Sequence, residues 1–233
     1  MHTFFNKLWK FLKWTLIAFF GTSILAVLAY RWWPVPCSPL MFIRCVQQVK
    51  HGEPLRLKHQ WVPLDSISPS LPLAVWASED QNFMNHNGFD FNQIKAAVKE
   101  RADGRRERGA STISQQTAKN VFLWPSHSWV RKGLEAYFTI LIETLWSKQR
   151  IMEVYLNTIE MGNGIYGAEA VALEHFGCRA RNLTQGQCAM IAVSLPNPIR
   201  MNSASPTPYM YRRQSWVLRQ MRWLGEFPTI HSN

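Results

Sequence analysis

Residues 79–90 read Glu79-Asp-Gln-Asn-Phe-Met-Asn-His-Asn-Gly-Phe-Asp90, and apolar or small residues flank this stretch on both sides. A charged group beside an apolar run is costly, so it needs a partner or a task. We predict that Glu79 is a general base, because a carboxylate at the mouth of a half-apolar cleft can have its pKa raised toward neutrality. The alternative is that Glu79 and Asp80 cap or pair on a solvated helix face.

The composition of the chain indicates an anionic partner. Its 233 residues suffice for one or two domains with a real core. The 26 Lys and Arg residues against 15 acids give a net charge of +11. Such a balance is typical of proteins that meet a nucleic acid, an anionic lipid surface or a phosphate-bearing substrate.

The N-terminus carries an uncharged apolar run, Trp14–Tyr30, which Trp32 and Trp33 extend beyond Arg31. Its length is near the lower limit for a bilayer span, and tryptophans at both ends suit the membrane interfaces. Lysines but no acids precede the run, so the positive-inside rule places the N-terminus in the cytoplasm and the rest of the chain outside. A cleaved signal peptide is the alternative, but the long apolar run and the bulky residues after it argue against cleavage.

This topology divides the chain into four predicted segments. They are a cytoplasmic N-terminus at 1–13, a transmembrane anchor at 14–33, a linker and membrane-proximal segment at 34–59, and an extracytoplasmic domain at 60–233. The topology also argues against a nucleic-acid partner, because the basic domain then lies outside the cytoplasm and carries no recognisable nucleic-acid module. An anionic lipid surface, or a substrate held in that surface, becomes the expected partner.

The four cysteines leave two alternatives open. In an oxidising compartment, Cys37 with Cys45 and Cys178 with Cys188 could each close a short loop. Otherwise the four are free, buried thiols. Their spacing matches no zinc motif, so they predict no metal site.

Helical periodicity dominates the chain beyond residue 73, and the alternation typical of strands is scarce. We expect helices over 73–79, 131–145, 148–157, 167–176, 185–195 and 211–223, with a glycine-punctuated loop at 161–167. Residues 41–50 fit either a short helix or a strand. The large apolar residues of 121–124 and 129–130 either dip into a membrane interface or belong to the core.

Residues 95–132 form the most basic region of the chain. Residues 103–109 contain no apolar side chain and a glycine near each end, which predicts a mobile loop that carries Arg105, Arg106 and Arg108. Residues 109–120 then resemble a helix N-terminus, whose free N–H groups bind anions well. Side chains spaced by three and four residues on that helix predict the lining of a polar substrate groove; they are Thr112, Gln115, Gln116 and Lys119.

Four motifs, in this order, resemble the signatures of the peptidoglycan glycosyltransferases. The first is Glu-Asp-x-x-Phe-x-x-His-x-Gly-x-Asp at 79–90, and the second is Gly-Ala-Ser-Thr-Ile-Ser-Gln-Gln-x-x-Lys-Asn at 109–120. The third is Arg-Lys-x-x-Glu at 131–135, and the fourth is Lys-x-Arg-Ile-x-Glu-x-Tyr-Leu-Asn at 148–157. The resemblance departs from the family pattern at Ser114, where a threonine is expected, and at Cys178, where a base often stands.

The resemblance implies a mainly α-helical, lysozyme-like fold with two lobes, behind one N-terminal transmembrane helix. It implies an enzyme without transpeptidase activity, since no Ser-x-x-Lys motif occurs in the sequence. The expected substrates are lipid II, a disaccharide-pentapeptide on undecaprenyl diphosphate, and the growing lipid-linked glycan. The enzyme would join them into β-1,4 glycan strands at the outer side of the bacterial inner membrane.

The resemblance also assigns roles to individual residues. Glu79 would take the proton from the acceptor sugar hydroxyl, and Glu135 would orient the neighbouring bases or hold a divalent cation such as Mg²⁺ against the diphosphate. No organic cofactor is expected. The predicted catalytic residues are Glu79 and Glu135, and the predicted substrate-binding residues are Asp80, Phe83, His86, Ser111, Thr112, Gln115, Gln116, Lys119, Asn120, Arg131, Lys132, Lys148 and Asn157.

Two other classes of protein fit parts of the pattern. A membrane-anchored lytic muramidase would use the same helical architecture and a lone glutamate in a groove, but it has no use for bases near its catalytic acid. A non-catalytic scaffold for cell-wall or division machinery would not depend on Glu79 at all. Other cell-wall synthesis proteins are expected partners under the scaffold and the glycosyltransferase hypotheses alike.

Overall fold

The computed structural model describes residues 2–104, 111–126 and 128–228, with the side chains of residues 2 and 3 left aside. The arginines of the predicted mobile loop, Arg105, Arg106 and Arg108, therefore lie outside the described residues. The chain divides into two compact units, Met1–Pro34 and Val35–Asn233. The predicted segment boundaries at 13, 33 and 59 stay predictions.

The first unit consists of one long helix, α1, over His2–Ala29. Its stretch Phe4–Ala29 is long and apolar enough to cross a membrane. Large apolar side chains along it are exposed, among them Phe11, Trp14 and Leu25. Exposed apolar surface of this extent is costly in water and favourable in lipid. The helix is consistent with a membrane anchor or a signal sequence, and it begins well before the predicted Trp14.

The second unit is mainly helical, as the sequence predicted. Its helices are α2 (Pro39–Lys50), α3 (Ser70–Glu79), α4 (Phe91–Ala102), α5 (Ile113–Phe122), α6 (Trp129–Leu145), α7 (Lys148–Thr158), α8 (Ala168–Phe176), α9 (Gln185–Ser194) and α10 (Pro208–Leu224). Short 3₁₀ turns lie at Leu64–Ser66 and Ala180–Asn182. Residues 41–50, which fitted either a helix or a strand, belong to α2.

The segment expected to be a glycine-punctuated loop at 161–167 is a small β-hairpin. Strands β2 (Glu160–Gly162) and β3 (Ile165–Tyr166) pair antiparallel, and β1 (Lys58–His59) pairs parallel with β3. Strands of two or three residues are too short to show an alternating pattern, which is why the sequence did not reveal them. At Gly164, with φ +68°, a Cβ atom would lie 2.3 Å from the carbonyl oxygen of Arg56, so only glycine fits this turn.

Two groups of packed helices form the core of the second unit. Helix α3 is buried from Leu71 to Ala77 and packs against α9 and α10. Helix α5 packs against α6 and α7. The C-terminal end of α3 carries Glu79, and the N-terminal end of α5 lies beside it, because the backbone N–H of Ile113 donates to the Asp80 carboxylate. The two ends together position the site described below.

Two open alternatives of the sequence analysis now have structural answers. All four cysteines are free thiols in this structure, but of the four only Cys188 is buried, and burial raises the pKa of its thiol to about 12. In the apolar segment 121–124, at the end of α5 and just beyond it, Val121 and Leu123 belong to the core. Trp129 and Val130, at the start of α6, are instead exposed.

Candidate active site

A polar cavity of about 600 Å³ lies where the end of α3, the start of α5 and helix α10 meet. Charged, amide and hydroxyl side chains dominate its wall. The lining residues are Ser78, Glu79, Asp80, Gln81, Asp90, Gln93, Ser111, Thr112, Gln116, Pro196, Arg213 and Trp216. The cavity thus brings together the first two sequence motifs and adds residues from α10 that no motif contained.

Glu79 is the last residue of α3 and is half-buried in the wall of this cavity. Burial raises the pKa of its carboxyl group, and the neighbouring charge of Asp80 adds to the rise. The Gln116 amide, which donates to Glu79 Oε2 at 3.0 Å, and the charges of Arg213 and Lys119 oppose this rise. A carboxylate with a raised pKa at the edge of a polar cavity is suited to accept a proton near neutral pH.

The raised pKa predicts that Glu79→Gln stabilises the folded protein. Because the folded-state pKa exceeds the ordinary value of 4.5, the ionised carboxylate costs stability above the folded-state pKa. This cost disappears as the pH falls below the unfolded value. We expect the melting temperature of Glu79→Gln to exceed that of wild type by a few degrees at neutral pH, since ~1 kcal/mol moves it by about 2–4 °C in a protein of this size.

Thermal unfolding at neutral pH and near pH 4 measures this difference. The two proteins should melt at the same temperature near pH 4. A lower melting temperature for Glu79→Gln at neutral pH would show that the carboxylate stabilises the fold and that its pKa is not raised.

Asp80 and His86 lock the loop between α3 and α4 onto helix α5. The Asp80 carboxylate accepts hydrogen bonds from His86 Nε2 at 2.9 Å and from the backbone N–H of Ile113 at 3.1 Å. His86 Nδ1 accepts from the backbone N–H of Gly88 at 3.1 Å, which leaves Nε2 as the protonated nitrogen. Both ring nitrogens are therefore engaged in the fold. The geometry favours a structural role for His86, and its predicted contact with substrate stays a prediction.

The side chains of Thr112 and Gln115 each form a hydrogen bond with the backbone of the other residue. The Thr112 hydroxyl accepts from the backbone N–H of Gln115, and Gln115 Oε1 accepts from the backbone N–H of Thr112, which forms a capping box at the start of α5. The Thr112 hydroxyl also donates to the carbonyl oxygen of Gly88 at 2.7 Å. Of the four predicted groove residues, Thr112 and Gln116 line the cavity, whereas Gln115 is turned into the protein and Lys119 is not among the lining residues.

Lys119, on α5, differs from Arg131 and Lys132 in that no carboxylate among the described residues holds its charge. Within the part of the chain that the structure describes, its ammonium group has no hydrogen-bond or ion-pair partner. It is half-buried, and burial lowers its pKa. Glu135 and Glu79 raise this pKa, whereas Arg131 and Lys132 lower it, so all four lie within electrostatic reach. A desolvated ammonium without a partner is prepared to bind an anion.

The start of α6 carries two bases on one buried carboxylate. Arg131 Nη1 donates to Glu135 Oε2 at 2.5 Å, and Lys132 Nζ donates to Glu135 Oε1. Glu135 is 3% exposed, so neither oxygen faces open solvent. Of its two predicted roles, this geometry favours the orientation of Arg131 and Lys132.

A divalent cation at Glu135 finds little support in the residues around it. Both carboxylate oxygens already accept hydrogen bonds from bases. Among residues 2–104, 111–126 and 128–228, no group of three or more His, Cys, Asp or Glu side chains could hold a metal ion. The described side chains therefore do not form a cation site by themselves.

The remaining predicted residues lie in three kinds of position. Ser111 is exposed at the cavity, whereas Phe83 and Asn120 are buried. Lys148 donates to Glu143 at 2.7 Å and to the carbonyl oxygen of His86, and its ammonium lies 4.6 Å from the centre of the Phe83 ring. Asn157 is fully buried, and its side chain bonds the backbone of Val62 and Glu153. The geometry favours structural roles for Lys148 and Asn157, and their substrate contacts stay predictions.

Arg213 and Trp216 belong to the site but to none of the sequence motifs. They lie on α10, where the Arg213 guanidinium stacks 3.9 Å from the centre of the Trp216 ring. Both line the cavity, and the charge of Arg213 lowers the pKa of Glu79, against the larger rise that burial causes. The only signal was the basic, amphipathic character of α10, which a solvated helix shares. Glu143 also belongs to none of the motifs, although it holds both Lys148 and Ser114.

The chain is similar to known proteins over nearly its whole length. The family model described as Transglycosylase matches residues 47–222, which include all of α10 but its last two residues and therefore Arg213 and Trp216. A biosynthetic peptidoglycan transglycosylase of Bacteroides thetaiotaomicron is 58% identical over 97% of this chain and 91% of its own length. A relative of the same description from Chromohalobacter salexigens is 49% identical over 93% of this chain and 92% of its own length. Another, from Pseudomonas putida, is 48% identical over 97% of this chain and 94% of its own length.

Proposed function

This chain belongs to the peptidoglycan transglycosylase family, and from that premise we propose that it polymerises lipid II by inverting transfer with Glu79 as the general base. As a member of this family the chain is a peptidoglycan glycosyltransferase that builds glycan strands, and this activity implies lipid II as the substrate. The residue roles and the stereochemistry below are the proposal.

One observation carries the proposal: a half-buried glutamate with a raised pKa lines a polar cavity, and an ammonium without a partner lies within electrostatic reach of it. Transfer of a sugar from a diphosphate needs a base at the attacking hydroxyl and positive charge at the leaving group. Glu79 meets the first need, and Lys119 meets the second.

The proposed step balances as a single displacement. The sugar hydroxyl of lipid II, the acceptor, attacks the anomeric carbon of the lipid-linked glycan, the donor, and a new carbon–oxygen bond forms. The bond from that carbon to the diphosphate oxygen breaks, and undecaprenyl diphosphate leaves with the electron pair. Glu79 takes the hydroxyl proton. Attack opposite to the leaving group converts an α-linked donor into a β-1,4 linkage.

The bases of α5 and α6 would stabilise the departing diphosphate. Lys119 has no competing partner among the described residues, so its charge is available to the anion. Arg131 and Lys132 are held by Glu135, which keeps two cations beside one carboxylate and leaves net positive charge. Glu135 acts through these bases and is a positioning residue in this scheme. Hydroxyl and amide groups at the cavity would hydrogen-bond the sugars or phosphates, namely Ser111 and Gln116, whereas the Thr112 hydroxyl is engaged in the fold.

A lone glutamate in a groove also serves glycan cleavage by a lytic muramidase, so the position of Glu79 alone does not separate cleavage from transfer. The basic cluster at Lys119, Arg131 and Lys132 favours the transferase, since a muramidase substrate carries no diphosphate there. Incubation of the purified full chain with lipid II, and separately with preformed glycan, distinguishes the two. Longer glycan from lipid II supports the proposal. Shortened glycan would point to the muramidase, and no change in either to a scaffold.

We further propose that α1 anchors the protein in the inner membrane, with the N-terminus in the cytoplasm and the second unit outside. The lysines near the N-terminus and the absence of acids in α1 support this orientation. Protease added to spheroplasts should digest the second unit, and protection of that unit until the cells are lysed would contradict the orientation.

A further inference from the structure

We infer that Tyr155 is a positioning residue that sets the orientation of the Gln116 amide and thereby keeps a hydrogen-bond donor on Glu79. This inference rests on the proposed role of Glu79 as the base. It concerns a fully buried side chain on α7 that the proposed chemistry does not otherwise use.

The contacts form a chain across three helices. The Tyr155 hydroxyl donates to Gln116 Oε1 at 3.2 Å, and Gln116 Nε2 donates to Glu79 Oε2 at 3.0 Å. Tyr155 lies on α7, Gln116 on α5 and Glu79 at the end of α3. The hydroxyl therefore reaches the carboxylate through one amide group.

The tyrosine hydroxyl selects one of two amide orientations. A flipped Gln116 would place Oε1 against the Glu79 carboxylate and Nε2 against the tyrosine. The hydroxyl would then accept a hydrogen bond, and its own proton would need another acceptor. Within the described residues the Tyr155 hydroxyl has no acceptor other than Gln116, and the residue is fully buried. A buried donor without an acceptor is costly, so the flip is disfavoured.

Loss of the hydroxyl removes this selection and favours the protonated form of Glu79. The flipped amide presents an oxygen, which a protonated carboxyl group can bond and an ionised one repels. The other charged groups that act on Glu79 are Asp80 beside it, Lys119 from α5 and Arg213 from α10, and they remain unchanged. Helix α9, which also packs on α3, contains no acid, lysine, arginine or histidine.

Tyr155→Phe tests the inference through the pH dependence of polymerisation by the full chain. We expect the acid limb of the kcat/KM profile to move to higher pH by about half to one unit, the size of one net hydrogen bond. Activity below that limb should fall by about 3- to 10-fold and recover at higher pH. If Tyr155 only supported the fold, Tyr155→Phe would lower the rate or the stability without moving the acid limb.

Tyr166→Phe is the matched control. Tyr166 is also fully buried, and its hydroxyl donates to Glu160 Oε1 at 3.3 Å. Neither Tyr166 nor Glu160 lines the cavity that contains Glu79. Tyr166→Phe should lose about as much stability as Tyr155→Phe, but the acid limb of its kcat/KM profile should stay where it is in wild type. Adding Tyr155→Phe to Gln116→Ala should move the limb no further than Gln116→Ala alone, because Tyr155 acts through Gln116.

An unmoved limb in Tyr155→Phe, or an equal further shift in the double variant, would overturn the inference. Should Tyr155→Phe not fold, Gln116→Glu provides the second measurement, since its new carboxylate still accepts from Tyr155 but cannot donate to Glu79. An unmoved acid limb in Gln116→Glu would also overturn it. Full activity of Glu79→Gln would instead refute the proposed base, so the two failures are distinguishable.

Discussion

Glu79→Gln should lower the rate of lipid II polymerisation by about 10²- to 10⁴-fold, the range that a positioned general base contributes. The amide keeps the size of the side chain and its acceptor oxygen for Gln116, but it cannot take a proton. Binding of lipid II should persist, because the change removes no cation from the site. Initial rates of polymer formation and the affinity for lipid II, measured on the same preparation, test both statements.

Glu174→Gln is the matched control for this substitution. Glu174 lies on α8, where Arg56 and Lys58 pair with it, and none of the three lines the cavity that contains Glu79. The control should keep the wild-type rate. If Glu79→Gln polymerised lipid II at a rate comparable with the control, Glu79 would have no part in the chemical step.

Lys119→Ala should lower kcat by about 10²- to 10³-fold, as expected when a group that stabilises developing charge is removed. The negative charge on the diphosphate grows as the bond to the sugar breaks, so Lys119 acts more strongly in the transition state than in the bound substrate. KM should change less than kcat. Steady-state rates over a range of lipid II concentrations separate the two.

Lys99→Ala provides the comparison for Lys119→Ala. Lys99 lies on α4 and is exposed, so its charge is screened by water. Its removal should leave kcat within about twofold of wild type. Equal losses from both variants would show that the basic surface acts as a diffuse field and that Lys119 does not define a site.

The sequence predicted those features that lie in one continuous stretch. The motif at 79–90 indicated Glu79, and the motif at 109–120 indicated Gln116 and Lys119, since helical spacing fixes which side chains share a face. The mainly helical class was confirmed for the same reason, because long periodic patterns are local.

Contacts between distant segments could not be predicted. Arg213 and Glu79 are far apart in the sequence and line the same cavity because α10 packs on α3. No local sequence pattern encodes that packing. The sequence also could not show that a polar side chain serves the fold. Asn157 matches a family motif, yet its amide bonds the backbone of Val62 and Glu153 in the interior.

The most direct test of the central claim is the product that the purified full chain makes from labelled lipid II, resolved by size before and after digestion with a β-1,4-specific muramidase. The account predicts a ladder of glycan strands that collapses to disaccharide units on digestion, and no ladder from Glu79→Gln. A ladder that resists digestion would contradict inversion to a β-1,4 linkage. A ladder made equally by Glu79→Gln, or no ladder from folded wild-type protein, would contradict the claim that this chain polymerises lipid II with Glu79 as its base.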